Sequence, residues 1–304
     1  MTPRTPSTRV DLRSNLPERL SPSRLTDFIQ CPKLFYYKTI LKLRTPSTEA
    51  TTKGTLAHYA FEHIFDHPRA ERTAERAVPY VRVHWEELKL EEGYAPIVAL
   101  GEEQVEAMLV ETERMVRGWF DIENPQRFDP EGRERWVRGK LKNASIHGVI
   151  DRLDKVEVGG ETRWIISDYK TGKVPDDRFV AKGFFAMKIY AALLFEELGI
   201  MVHSLRLVFV KNGSRDDVRT MGFNNDVLQE TREHVSSLWK QIETAAKSGE
   251  FAPKRGPLCN WCDFQSMCPA FNPELAGMTV DEAVAMFDKL SGKEGLVQDA
   301  LPLV

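Results

Sequence analysis

Several things are scarce in this sequence, and each scarcity closes off a class of function. There is no run of 18 apolar residues, so no membrane-spanning helix is expected. The opening stretch, MTPRTPSTRVDLRSNLPERLSPS, has no apolar core of the kind a secretory leader needs. These two absences point to a cytoplasmic protein without a membrane partner. Neither sign of charge dominates: 42 Lys and Arg face 45 Asp and Glu, a net charge of -3. A nucleic acid would therefore have to be held by a local groove and not by a global basic field. No G-x-x-x-x-G-K-[ST] loop occurs, so any unwinding of a duplex would have to come from another chain. Cysteine is rare, at four residues in 304. In a reducing compartment four such residues are metal ligands or free thiols more readily than disulfides.

What is present supports a folded core, since 42% of the residues are hydrophobic. The most informative stretch is Gly148 to Lys173, GVIDRLDKVEVGGETRWIISDYKTGK. Val149 and Ile150 lead into Asp151, and Trp164-Ile165-Ile166-Ser167 lead into Asp168-Tyr169-Lys170. Gly159-Gly160 between the two apolar runs predicts a β-hairpin. Asp168 and Lys170 are two apart and share one face of their strand, and Asp151 can reach the same end of the sheet. Acids and a lysine on strands are most often a solvated face or an ion pair. Here both acids abut apolar runs suited to a central strand, where a charge needs a partner, and a divalent metal is a common one.

Along the chain, residues 1–20 read as a flexible arm rich in Pro, Ser, Thr and Arg. Ser21-Pro22-Ser23 predicts a helix start, and Pro32, just after Cys31, a break. Phe35, Tyr36 and Tyr37 form an aromatic cluster that reads as core packing rather than base stacking. A polar linker, RTPSTEATTK, precedes Gly54 and a helix, TLAHYAFEHIF, with His58 and Glu62 on one face. Residues 69–92 and 97–120 read as two long helices. Near residue 134 the period changes to two, predicting strands at 136–141 and 145–150 before the hairpin. A helix from Asp177 to Leu198, apolar on more than one face, should be largely buried and closed by Gly199. It carries Tyr190, and Lys182 and Lys188 could reach a groove. Strands at 203–211 and 217–223, an amphipathic helix over 225–248, and a short helix after residue 273 (VDEAVAMFDKL) complete an α/β (α+β) pattern with a mixed sheet.

The C-terminal region holds CNWCDFQSMCPAF, with Cys259, Cys262 and Cys268 in ten residues. That spacing predicts a soft-ligand metal knuckle for zinc or an iron–sulfur centre. Cys31 is the one other cysteine; as a fourth ligand it would tie the N-terminal helix to the C-terminal segment.

Taken in order, these elements resemble the RecB-like nucleases of the PD-(D/E)XK superfamily. The branch is the one with a cysteine-bound iron–sulfur cluster, as in AddB recombination nucleases and CRISPR adaptation exonucleases. SPSRLTDFIQCPKLFYY, GTLAHYAFE, GVIDRLD, DYKTGK, MKIYAALL and CNWCDFQSMCP match the family's motifs in sequence order. One position departs: the helix motif usually carries Gln four residues before its Tyr, and here stands Ala186.

The resemblance implies a restriction-endonuclease-like core with a mixed central sheet flanked by helices, a helical insertion and an iron–sulfur segment. Residues 21–272 would form one nuclease domain: a mostly helical part (21–130), the core (131–250), and a cluster segment (251–272) closing onto Cys31. Residues 273–304 would be a C-terminal helix and tail. It implies a [4Fe–4S] cluster on Cys31, Cys259, Cys262 and Cys268. His58, Asp151, Asp168 and the Tyr169 carbonyl would hold Mg²⁺ or Mn²⁺, with the imidazole favouring Mn²⁺. Lys170 would orient the nucleophile or neutralise charge, and Tyr190 would position a phosphate or the lysine. Glu62 is a candidate second partner for His58, and Arg152 for a structural contact. The implied activity is exonucleolytic hydrolysis of DNA, preferring single strands or ends, in recombination, repair or CRISPR-type DNA processing in a prokaryote or phage. Helicase or integrase-type subunits are the implied partners. The alternative is a non-catalytic iron–sulfur DNA-binding subunit of a recombination or CRISPR adaptation complex, which the Ala186 departure favours.

Overall fold

The structure, a computed structural model, describes residues 10–291, and within them the side chains of residues 177–179 are not described. Its contacts divide the chain into two units. One comprises residues 19–22 and 46–237; the other comprises residues up to 18, 23–45 and 238 onward.

The first unit is built on a five-stranded sheet in the order β1-β2-β3-β4-β5. The strands are β1 (Gly132–Leu141), β2 (Ala144–Val158), β3 (Glu161–Lys170), β4 (Val202–Phe209) and β5 (Val218–Gly222). The β2–β3 hairpin turns at Gly159 and Gly160, both at positive φ, so that Val158 pairs with Glu161. Only β3 and β4 run parallel. A parallel pair needs a crossover, and the long helix Asp177–Leu198 supplies it. The sheet is therefore mixed, as the sequence pattern predicts.

Its helices are α2 (Glu49–His63), α3 (Pro79–Leu88), α4 (Glu102–Ile122) and α5 (Asp177–Leu198), following α1 (Pro22–Gln30) of the other unit. α2, α3 and α4 pack together with Tyr169, Val208 and Val210 into one apolar core. α5 covers the opposite face. Adjacent strand residues point to opposite sides, and Leu207, next to Val208, lies against Gly183 of α5. The helix ends at Gly199 in the left-handed conformation, as expected.

Three local expectations need correction. α2 begins six residues before Thr55, because Thr48 and Thr51 form a reciprocal capping box at Glu49. The long helix expected over 69–92 is broken into short turns and α3, which starts at Pro79, where a helix interior cannot continue cleanly. The arm expected to be flexible is packed from Leu12 onward. Leu12 is buried and its N–H donates to the Ala246 carbonyl; Leu20 is fully buried and bridges to Ile146. Residues 1–9 of that arm lie outside the described residues.

The second unit holds α1, a tight helical turn over Pro32–Phe35 that follows the predicted break, and the cysteine segment. It also holds the last part of α6 (Asn225–Ser248), and α7 (Val280–Leu290). Phe35, Tyr36 and Tyr37 pack on Phe251 and Phe264, so the aromatic cluster is core, as read from the sequence. Among the described residues no helix is long and apolar enough to cross a membrane.

Candidate functional site

The site forms where β2 and β3 end beside α2. β2 alternates buried and half-buried residues up to Ile150, then runs buried from Arg152 to Asp154. Asp151 stands at that change of pattern, and its carboxylate crosses to β3, where Oδ2 accepts the Tyr169 N–H at 2.8 Å. α2 brings His58 to the same point. Its Nε2 lies 3.1 Å from the Tyr169 carbonyl, and its Nδ1 lies 3.5 Å from Asp151 and 3.8 Å from Glu134. A carbonyl only accepts, so Nε2 carries the proton and Nδ1 faces the acids. The Tyr169 carbonyl, expected as a metal ligand, is thus engaged with His58 through one of its two lone pairs.

His58, Glu134 and Asp151 each offer a ligand atom within 4.8 Å of the other two, a spacing suited to one cation. Glu134 was not foreseen. It sits at the start of β1 with a left-handed backbone, φ 41°, which is costly for any residue with a side chain. Arg133 anchors the turn by donating to the Glu62 carbonyl and to Asp66. The only sequence signal was a charged start, GRERW, to a strand of period two. Glu62 was expected to pair with His58; Glu134 occupies that position instead. Glu62 lines a cleft of about 420 Å³ with Gly54, Thr55, His58, Tyr59, His84 and Glu134.

Asp168 and Lys170 adjoin this group. Lys170 Nζ lies 2.5 Å from Asp168 Oδ2, yet that buried oxygen receives no directed hydrogen bond among the described residues. Electrostatics match the crowding. Burial, then the neighbouring Asp168 charge, pushes the Asp151 carboxyl up to about 7. Burial works against a charged His58, but Asp151, Glu134 and Asp168 outweigh it and raise the imidazole to about 9. Burial likewise opposes the Lys170 charge, and Asp168 and Asp151 overcome it, so the ammonium keeps its proton. A buried set of acids that hold on to protons, beside an imidazole nitrogen that faces them, is a crowded group of hard donors. It fits a divalent cation.

Tyr190 of α5 faces the same acids; burial and then Asp168, Asp151 and Glu134 raise its phenol above the ordinary range. Room for its ring depends on Gly148: a Cβ there would lie 2.3 Å from Tyr190 Cε1. Ala186, one turn earlier on α5, is half-buried.

Behind the acids, Arg152 is fully buried in a second network. It makes two hydrogen bonds to Glu123, at 2.6 and 2.9 Å, and others to the Tyr169 hydroxyl, Asp154 and Ser167. Arg206 and the Trp119 indole N–H also hold Glu123. The structural contact expected of Arg152 is present, and Glu123, its partner, was not foreseen.

The cysteine segment belongs to the other unit. Cys31, Cys259, Cys262 and Cys268 are free and half-buried. Lys254 N–H donates to Cys31 Sγ at 3.3 Å, and the Tyr37 hydroxyl donates to the Met267 carbonyl, so the two cysteine-bearing segments pack together. Among the described residues no three sulfurs lie within one ion's sphere, and the four thiols are not gathered into a closed site.

A mixed sheet with acids and a lysine at the end of its central hairpin defines a class of metal-dependent phosphodiesterases. The chain belongs to the PD-(D/E)XK nuclease superfamily, whose family model matches residues 19–269. Such nucleases use divalent metals and act on DNA. Among solved structures, the chain is similar to a protein from Eubacterium rectale provisionally named an exonuclease. Identity is 17%, with a TM-score of 0.50 over 81% of this chain and 87% of that one, a likeness of fold. No protein with a curated description matches the chain.

Proposed function

We propose that this protein is a Mg²⁺- or Mn²⁺-dependent DNA exonuclease of the RecB-like branch, acting in the cytoplasm on single strands or free ends. The observation that carries this reading is the convergence of His58, Glu134 and Asp151 beside the Asp168–Lys170 pair. Asp151, Glu134, Asp168 and His58 Nδ1 would hold the cation, with the second lone pair of the Tyr169 carbonyl as a further donor. A cation bound there would supply Lewis-acid polarisation of a phosphate oxygen and would acidify water. Lys170, protonated throughout the neutral range, acts as a fixed positive charge for the phosphate and not as a base. Tyr190, a neutral phenol, donates a hydrogen bond to a phosphate oxygen or an acid. End-labelled single-stranded DNA with Mn²⁺ tests the assignment: cleavage should vanish in Asp168→Ala and Lys170→Ala. Undiminished cleavage in both would exclude this site. Ala186 favours the second reading, a DNA-binding subunit without turnover, which predicts binding and no cleavage in the unmodified chain.

For the cysteines we propose a [4Fe–4S] cluster with a structural role. The C-x2-C-x5-C spacing supports it, as does the packing of the Cys31 segment on the Cys259–Cys268 segment. In a cube each thiolate binds its own iron, so the sulfurs need not share one ion's sphere. Anaerobically purified protein should be brown, with absorbance near ~400 nm; a colourless protein with stoichiometric zinc rejects the cluster. Helicase or integrase-type subunits are the proposed protein partners.

A further inference from the structure

The edge strand β1 carries more chemistry than the candidate metal ligand at its start. Alternation puts Trp136, Arg138 and Lys140 in one row. All three are exposed, and Trp136 is 70% exposed. Across the ladder stand Val149, His147 and Ser145. The Trp136 indole lies over the His147 imidazole with ring centroids 6.0 Å apart and planes inclined by 26°. The opposite face of the same strands holds Val137, Leu141, Ile146 and Ile150, all buried, so the core does not require the indole.

A single exposed apolar residue carries little information. The position of this one carries more. The row begins two residues beyond Glu134, and on β2 Asp151 lies two residues beyond Val149. Arg138 and Lys140 have no ion-pair or side-chain hydrogen-bond partner among the described residues. The chain as a whole is slightly acidic, so two unpaired cations and an exposed indole on the strand that carries Glu134 at its start form a local patch of the required sign.

We propose that this row binds the single-stranded nucleic acid on its way to the metal site: a base stacks on Trp136, and phosphates meet Arg138 and Lys140. That the ligand is a nucleic-acid strand rests on the nuclease reading. Arg138 and Lys140 attract the phosphate backbone, and Trp136 offers a ring for a base.

The test is fluorescence anisotropy of a labelled single-stranded oligodeoxynucleotide with the full chain in chelator, where nothing turns over. A strand of the same length made of abasic units serves as the comparison. Trp136→Ala should weaken binding of the base-bearing strand by about tenfold, the scale of losing one stacked base. The abasic strand should bind it almost as it binds the unmodified chain. Trp136→Phe should recover most of the loss, which a folding defect would not allow. Arg138→Gln and Lys140→Gln should each make log Kd depend less steeply on log salt, by about 0.7 for a single strand. Equal binding by Trp136→Ala and the unmodified chain would overturn the proposal, as would equal loss for both strands. If the Trp136 effect holds but the unmodified chain cleaves nothing in Mn²⁺, the patch stands and the nuclease reading falls.

Discussion

Glu123 and Asp151 are two carboxylates in the same unit, on either side of one residue, Arg152, and the protein treats them in opposite ways. Burial alone would raise both. For Glu123, Arg152, Arg206 and the Trp119 N–H more than cancel that cost and pull the carboxyl down to about 2. For Asp151, the compensation from His58 and the Tyr169 N–H falls short against Asp168 and Glu134, and the carboxyl rises to about 7. The first network supplies its own cations, although one oxygen, Asp154 Oδ1, lacks a hydrogen bond among the described residues. The second leaves its charge to be balanced from outside. A buried ion pair closed on itself is structural, whereas buried acids that raise one another's hold on protons are the arrangement expected of a candidate functional site.

Substitutions should separate the two. Asp168→Ala or Lys170→Ala should lower metal-dependent cleavage by at least about 10²–10³-fold, with the melting transition of the metal-free protein hardly moved. Glu123→Ala should do the reverse in order of cause. It strands Arg152 without its main partner in a dry interior, at a cost of about 3–5 kcal/mol, read by chemical denaturation. If Glu123→Ala were as stable as the unmodified chain, the buried network would not be what holds β2 and β3 beside the candidate site. Between these lies Glu134→Gln, which should weaken Mn²⁺ binding by about 10–100-fold, measured by calorimetry, and leave the fold intact. Equal Mn²⁺ affinity would remove Glu134 from the ligand set. Gly148→Ala is a smaller and more local probe. The added methyl must displace the Tyr190 ring, and overpacking of this kind costs about 1–3 kcal/mol. The loss should be reduced when Tyr190→Ala is introduced with it.

The same contrast shows what could be read from the sequence. That His58, Asp151, Asp168 and Lys170 lie near one another is legible because each stands within a few residues of a turn, strand or helix signal that fixes its direction. The Gly159-Gly160 turn sets the β2–β3 register, and that register brings Asp151 to Tyr169. Glu134 was not legible, because its placement depends on a left-handed backbone that a strand pattern gives no reason to expect. Nor was Glu123, which meets Arg152 29 residues later through tertiary packing of α4 on the sheet. The early start of α2 escapes the sequence pattern for a local reason. Gly54 reads as a boundary, whereas Thr48 and Thr51 cap the helix ahead of it and Lys53 steadies it against Glu49 and Glu111. Leu12 and Leu20 were hidden by their polar neighbours; single leucines in a charged stretch carry no periodic signal, yet each finds a buried position.

The smallest expected effect is the most direct measure of the imbalance at Asp151. Its carboxyl in the folded chain titrates at about 7, above the ordinary 3.8. The folded state therefore holds more protons than the unfolded state between these values, and the metal-free protein loses stability as pH rises through that window. His58, raised from 6.5 to about 9, has the same sign: its contribution is full below about 6.5 and is lost as pH passes 9. A cation reverses the slope, because binding requires Asp151 ionised and His58 Nδ1 bare, and so releases protons at neutral pH. Asp151→Asn keeps a carbonyl oxygen for the Tyr169 N–H but carries no charge. In chelator at pH 8 it should be more stable than the unmodified chain, by on the order of 1 kcal/mol once the lost attraction to His58 is subtracted. At pH 4, where Asp151 is already protonated, the two should melt together. Saturating Mn²⁺ should stabilise the unmodified chain increasingly from pH 6 to 9 and the variant far less. If instead Asp151→Asn destabilises the metal-free protein at pH 8, Asp151 is a satisfied structural acid like Glu123, and the two regions do not differ in kind.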